Sequence, residues 1–533
     1  MKRNKLYSYL LLLLFLSTAY PLVTSAQEAE FVKLNKTFVL NEDGSQEFRC
    51  YKELKLFTHT AMNSTYGETF IVYNPDFQEL EIHSCYTRQK DGTIIKTPEN
   101  AFVEVLPRFA TDAPAYNQLK EMIVVHTGLD LGSTIYLDYS IHTKGNILRA
   151  LDIDEFLQET SPVLEYKITI SVPEKQTLNY QTLGKLKPTE QITQNRKIYS
   201  WQLKNIPATS RMPFLPQNKE NVLRLTANTY ENKNKAFLRI DQQIKESSSM
   251  ESETFAGFLT ESCSSEKEKL DVVLSHVVNN ISTTPIPFSS AGYRLRSADE
   301  VLRSAYGTEI EKTNLLNKML NAAGIPSEIV FFYPTALSSG ITGLAGIKQV
   351  GVKTTLDGKA IYLSALRTQP IQPELRGSLD KVIALSGDQI TVEQKPAIYD
   401  ERQELTLDKT KIQNGYLIYD LPQSKGIDQW HMSALNSRRE DWFEIPSMLK
   451  ETSTCLITIP EGISYSGNTE PVALTNPQGK FSRTIRLKGN KLEIIRTLEL
   501  KQIQYSPDEY AEVRKLIMKW NGTKNRQLLF KTH

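Results

Sequence analysis

Cysteine is scarce in this chain of 533 residues, and the four present (Cys50, Cys85, Cys263 and Cys455) never fall in a CxxC pair. Zinc-ribbon and thioredoxin-type redox chemistry are thereby excluded. No HExxH, no GxSxG elbow and no phosphate-cradling glycine loop occurs, so the common zinc-protease, serine-hydrolase and nucleotide-binding signatures are missing. The spacing of His, Cys, Asp and Glu suggests no metal site, and nothing calls for a cofactor. An excess of positive charge is also lacking. Setting aside Lys2, Arg3 and Lys5 of the leader leaves 60 of the 63 Lys and Arg against 61 Asp and Glu. A near-neutral chain without a basic stripe has no long-range field for nucleic acid. Beyond residue 16 no apolar run approaches the ~20 residues of a spanning helix, so no membrane span is expected once the leader is removed.

What is present begins with an export signal. Lys2, Arg3 and Lys5 precede the apolar run Leu10 to Leu16, and Thr24-Ser25-Ala26 supplies small residues before Gln27. That pattern predicts a secretory signal peptide over residues 1–26. No cysteine follows the apolar run, which argues against a lipid anchor. Export permits disulfides. Cys50 and Cys85, both in the first β-rich region, are the candidate pair, with free thiols the alternative.

A hydrophobic content of 40% and a charged content of 23% fit about three globular domains. From residue 31 to 141 short alternating runs are separated by turn signals such as Asp91-Gly92, and further runs follow at 161–173 and 197–203. Together these predict an antiparallel β-sandwich domain over 27–245. The stretch 213–232 resembles a linker, and Asp152-Ile153-Asp154-Glu155 a solvated acidic loop.

The character changes after Ser264. Three helix starts carry S/T-x-x-E spacing at Ser265, Ser297 and Thr308. The apolar positions Leu315, Leu316, Met319, Leu320 and Ala323 follow the last of these, with Gly324 and Pro326 as stop signals. A strand over 328–333 and a hairpin around Asp357-Gly358 come next. Helices followed by an antiparallel sheet predict a central α+β domain over 250–370. Strand patterns then return over 377–533, a β-rich domain closed by a helix that starts at Ser506-Pro507 with Tyr510, Val513, Ile517 and Trp520 on one face.

The run Ser297-Ala298-Asp299-Glu300-Val301-Leu302, Ala305-Tyr306-Gly307, Lys312-Thr313-Asn314-Leu315-Leu316 and Ala323-Gly324-Ile325-Pro326 resembles the core of bacterial transglutaminase-like proteins. Members typically carry Gly-Asp-Cys-x-Asp-Lys where this chain has Gly307-Thr308-Glu309-Ile310-Glu311-Lys312. The resemblance implies a papain/transglutaminase-like core in which the nucleophilic cysteine falls on Glu309. Counted from Asp357-Gly358, its histidine falls on Gln349 and its aspartate on Ser364. A thiolate at a helix N-terminus, an imidazole to move its proton and an acid to orient the imidazole are all required for the family reaction. None of the three substitutes can take the part it inherits. Tyr73-Asn74-Pro75, Ala113-Pro114-Ala115-Tyr116 and Gly132-Ser133-Thr134-Ile135-Tyr136 resemble the domain of unknown function that precedes such cores in exported proteins. The expectation is a non-catalytic envelope protein, periplasmic or at the cell surface, that binds or scaffolds a protein or peptide. The alternative is an amide hydrolase or acyl transferase with relocated catalytic residues.

Overall fold

The computed structural model describes residues 27–532 apart from 185, 211, 217–222, 233, 335, 339–340, 376–379, 409, 411 and 433–434; the leader expected over residues 1–26 lies outside the described residues. The protein is multidomain and strongly β-rich, with several sheets and few helices. None of the described helices is long and apolar enough to cross a membrane.

The N-terminal region is built on an eight-stranded sheet. Its centre pairs Ala29–Leu40 in parallel with Val163–Pro173 and antiparallel with Gln46–Leu56. Alternate residues of these strands, including Leu34, Leu54, Ile168 and Ile170, enter one apolar cluster with Trp201 and Leu225. Burying one face of each strand is what the period-2 patterning demands. A smaller sheet, with Glu68–Tyr73 beside Lys120–Val125, packs Ile71 and Val124 against Leu137.

Cys50 and Cys85 are not joined. The strand Thr134–Thr143 lies between theirs, with Cys50 opposite Tyr139 and Cys85 opposite Leu137. Two strand spacings of ~4.8 Å exceed the Cα separation a disulfide can bridge. All four cysteines are free.

Two expected boundaries move. The segment taken as a linker contains the strand Arg224–Asn228, fully buried between Asn179–Leu183 and Asp152–Phe156. The helix Lys235–Glu246, placed by sequence in the first domain, buries Phe237 and Ile240 against Phe331 and Tyr333 of the central sheet. That sheet has six strands, and Asp380–Ala384 pairs with Ser327–Pro334, so the central unit runs past residue 377.

The central helices start as their caps dictate. Ser297 and Thr308 each close a full capping box, with Glu300 and Glu311. The helix Glu309–Ala322 buries Leu315, Leu316, Met319 and Leu320 against Val352 and Leu363 of the sheet. The hairpin Gln349–Leu356 and Lys359–Ser364 turns at Asp357 (φ 50°) and Gly358 (φ 72°), the left-handed pair that a two-residue turn needs.

In the C-terminal region the helix Pro507–Asn521 is capped by Ser506 and Glu509 and buries Tyr510, Val513, Ile517 and Trp520. The chain does not end there. Gln527–Thr532 forms a strand between Tyr416–Asp420 and Ile463–Tyr465.

Candidate functional site

A cavity of about 630 Å³ opens where the N-terminal region meets the start of the helix Glu309–Ala322. Glu309, Phe288, Tyr293, Ile347 and Val350 line it together with Asp152, Asp154 and Glu155. The acidic residues come from the strand Asp152–Phe156, not from a solvated loop. Sequence reading missed this strand because it is short and its charged residues outnumber its apolar ones.

Each carboxylate has a different standing. Asp154 is held by Arg224 through contacts of 2.5 and 2.6 Å. Glu155 accepts from Lys36 at 2.9 Å. Asp152 keeps some surface in the cavity, yet its carboxylate is surrounded by protein. It accepts from the Tyr230 hydroxyl at 2.8 Å and from the backbone N–H of Leu344 at 2.5 Å and Ala345 at 3.2 Å. Burial pushes its pKa up to about 6, against the opposing pull of those hydrogen bonds. Among the described residues the Glu309 carboxylate has one hydrogen-bond partner, the Val350 N–H, which donates to Oε1 at 3.2 Å. Burial raises its pKa as well, and the Val350 bond only partly offsets it.

The three positions singled out from sequence do not converge. Glu309 faces the cavity. Gln349 lies one residue before Val350 and pairs with Phe332, whose side chain joins Val330 and Tyr362 on the other face of the sheet. A one-residue step along a strand reverses the face. Val350, which lines the cavity, is therefore the residue opposite Glu309, and Gln349 is not. Ser364 is buried, does not line the cavity, and accepts the Leu366 N–H at 3.1 Å.

The helix start is anchored from both domains. Glu311 accepts the Thr308 N–H at 2.9 Å and the Tyr116 hydroxyl at 2.6 Å, and Arg296 pairs with it at 3.2 Å. Arg296 stands over the rings of Tyr116 and Tyr306, at 5.6 and 4.4 Å. The Ala115 N–H donates to the Tyr306 hydroxyl at 2.8 Å. The Ala113–Tyr116 segment of the first domain thus docks beside the cavity. Thr283 pairs in parallel with Gly307, and the Thr284 N–H donates to Gly307 O at 2.9 Å. Lys312 sits beneath this pair, 1% exposed, donating to Ile281 O at 2.6 Å and Thr283 Oγ1 at 2.9 Å. Burial brings its ammonium down to about 8.

Among the described residues no cysteine or histidine lines the cavity. A cysteine–histidine contact exists elsewhere, Cys85 Sγ to His126 Nδ1 at 3.8 Å in the N-terminal region. Burial lowers the imidazole to about 3 and raises the thiol, the reverse of what a thiolate–imidazolium pair requires. Among the described residues no cluster of His, Cys, Asp and Glu could hold a metal ion.

A domain of unknown function, DUF3857, matches residues 42–210, and a second, DUF3858, matches residues 415–530. The crystal structure of a candidate protease from Parabacteroides distasonis ATCC 8503 is 52% identical, covering 95% of this chain and 99% of that one, with a TM-score of 0.88. A candidate cysteine protease from Cytophaga hutchinsonii is 11% identical over 43% of this chain and 78% of its own, at a TM-score of 0.21. No curated protein matches the chain.

Proposed function

The chain belongs to the same family as the Parabacteroides distasonis protein, and on that premise we propose that it is a non-catalytic, transglutaminase-like protein of the cell envelope that binds a protein or peptide in the cavity beside Glu309. The observation that carries this reading is the start of the helix Glu309–Ala322. A carboxylate bonded to the Val350 N–H stands at the position where the transglutaminase-like resemblance calls for a thiolate, and among the described residues no imidazole lines the cavity beside it. A carboxylate there gains from the helix dipole but forms no acyl-enzyme with an amide at any useful rate. The envelope location rests on the leader over residues 1–26; a mature protein beginning at Gln27 would support it.

The test is turnover against binding. A fluorogenic peptide library and a thiol-directed activity probe should give no signal above buffer, while a labelled peptide binds saturably. Ser289→Trp, which fills the cavity from an exposed position on its wall, should abolish that binding. Hydrolysis removed by one cavity substitution would overturn the proposal.

A second reading has one observation in its favour. Asp152 and Glu309 are two carboxylates with raised pKa in one cavity, the arrangement used by acid–base hydrolases. Asp152, however, spends its oxygens on three hydrogen bonds within the protein. If this reading were right, Glu309→Gln and Asp152→Asn would each cut peptide hydrolysis by at least about a hundredfold.

A further inference from the structure

The C-terminal region leaves one long sheet edge open. Its five-stranded sheet begins with Ala397–Thr406, ten residues paired in parallel and without a register shift to Leu449–Thr458. Among the described residues, every other strand at a sheet edge has six residues or fewer. The edge strand Arg367–Ile371 also carries Pro370, which cannot donate to a neighbour. Short strands and proline are the usual guards against pairing with another chain. Ala397–Thr406 has neither guard: it is long, without Pro or Gly, and without a bulge. Among the described residues, no backbone–backbone hydrogen bond joins residues 398–406 to anything but Leu449–Thr458. The groups of an edge strand that point away from its neighbour form a row of unmatched donors and acceptors.

The side chains on this edge match those of a second copy. Asp400, Arg402 and Glu404 are exposed on one face, with Arg402 Nη2 3.6 Å from the Glu404 carboxylate. Tyr399, Glu401, Gln403 and Leu405 alternate with them on the other face, half-buried. Two copies joined edge to edge about a two-fold axis run antiparallel, and the residue on the axis meets itself. Four registers pair seven or more of the ten residues, those centred on Asp400, Glu401, Arg402 and Gln403. The first three bring two like charges together at the axis. With Gln403 at the centre, an amide that both donates and accepts meets its copy, and Arg402 of each chain lies opposite Glu404 of the other. Added to the Arg402–Glu404 contact within each chain, this closes a square of four charges of alternating sign.

We propose that a second copy of this chain pairs antiparallel with the edge Ala397–Thr406, in the register centred on Gln403, so that two five-stranded sheets become one. Charged residues guard an edge against indiscriminate pairing, and here their matched pattern selects the partner. A single strand pair buries less than the ~1,600 Å² of a standard stable interface, so the dimer is weak, in roughly the micromolar range. The proposal stands apart from the peptide-binding reading and from the cavity.

Sedimentation of the full mature chain from about 1 to about 300 µM should show a reversible monomer–dimer equilibrium. Arg402→Glu sets two acids opposite each other on both sides of the axis and should weaken the dimer at least about tenfold. Adding Glu404→Arg to that variant exchanges the two charges and should restore the dimer. Opposed Cα atoms of an antiparallel pair lie about 4.5–5.5 Å apart, within reach of a disulfide. Gln403→Cys should therefore crosslink on mild oxidation, and Asp400→Cys should not. These positions are at least partly exposed, and unchanged thermal unfolding shows that each variant is folded. A chain monomeric at the highest concentration, or a dimer indifferent to Arg402→Glu, would overturn the proposal. So would a dimer that the double exchange leaves unrestored, or one that crosslinks as readily at Asp400 as at Gln403.

Discussion

Gly343 and Asp152 illustrate how much a single contact decides here. A Cβ on Gly343 would meet the Asp152 carboxylate at distances incompatible with packing, so the loop that donates to Asp152 closes only over glycine. Gly343→Ala should cost ~1–3 kcal/mol, measured by urea unfolding. Asp152 also makes stability depend on pH. Its pKa is about 6 in the folded protein against 3.8 for the ordinary side chain, so the folded state holds the proton more tightly between these values. The contribution is fully present below about pH 4 and is lost as pH rises toward 6, to a total of at most ~3 kcal/mol. Tyr230, Tyr293 and Tyr333 face the same carboxylate, and burial raises their pKa so that they stay protonated over this window; Asp154, paired with Arg224, is the charged neighbour on the same strand. Asp152→Asn should flatten the pH 4–6 limb of the unfolding free energy, whatever its absolute stability. An unchanged slope would show that another group carries it.

At the scale of elements, the helices begin where their caps begin. Ser506 accepts the Glu509 N–H at 3.3 Å while Glu509 accepts the Ser506 N–H at 2.8 Å. Ser506→Ala should therefore lower stability by ~1 kcal/mol, and the peptide binding proposed for the distant cavity should not change. The three full capping boxes, the Asp357-Gly358 turn and the apolar stripe of the last helix were all legible in the sequence, because each depends on residues within one or two turns of each other. The helix Met250–Thr260 was not. It exposes Met250 and Phe258 and buries Ser252 and Thr260, so its apolar pattern does not mark its packed face. The final strand Gln527–Thr532 was missed because its partners lie about 65 and 110 residues earlier in the chain.

Across the whole molecule, the domains are joined by polar contacts on either side of the cavity, Asp152 on the loop 343–345 and Tyr116 on Glu311. Tyr116→Phe should weaken that junction by ~1–2 kcal/mol, seen as earlier local hydrogen exchange at the start of the Glu309 helix. No covalent link reinforces the assembly, since all four cysteines are free. The unfolding temperature should be the same with and without dithiothreitol, and a reductant-sensitive transition would contradict the pairing seen across the strand Thr134–Thr143. By itself the sequence determined the β-rich, multidomain character, the helix caps and the carboxylate at the start of the Glu309 helix, since these follow from local propensity and short-range spacing. Only the tertiary structure decided that Val350 rather than Gln349 faces that carboxylate, that Asp152 to Glu155 form a cavity wall, and that Cys50 and Cys85 stay apart. The reason is register: a strand's neighbours and the side it presents are set by pairing with distant segments, and a shift of one residue exchanges its two faces.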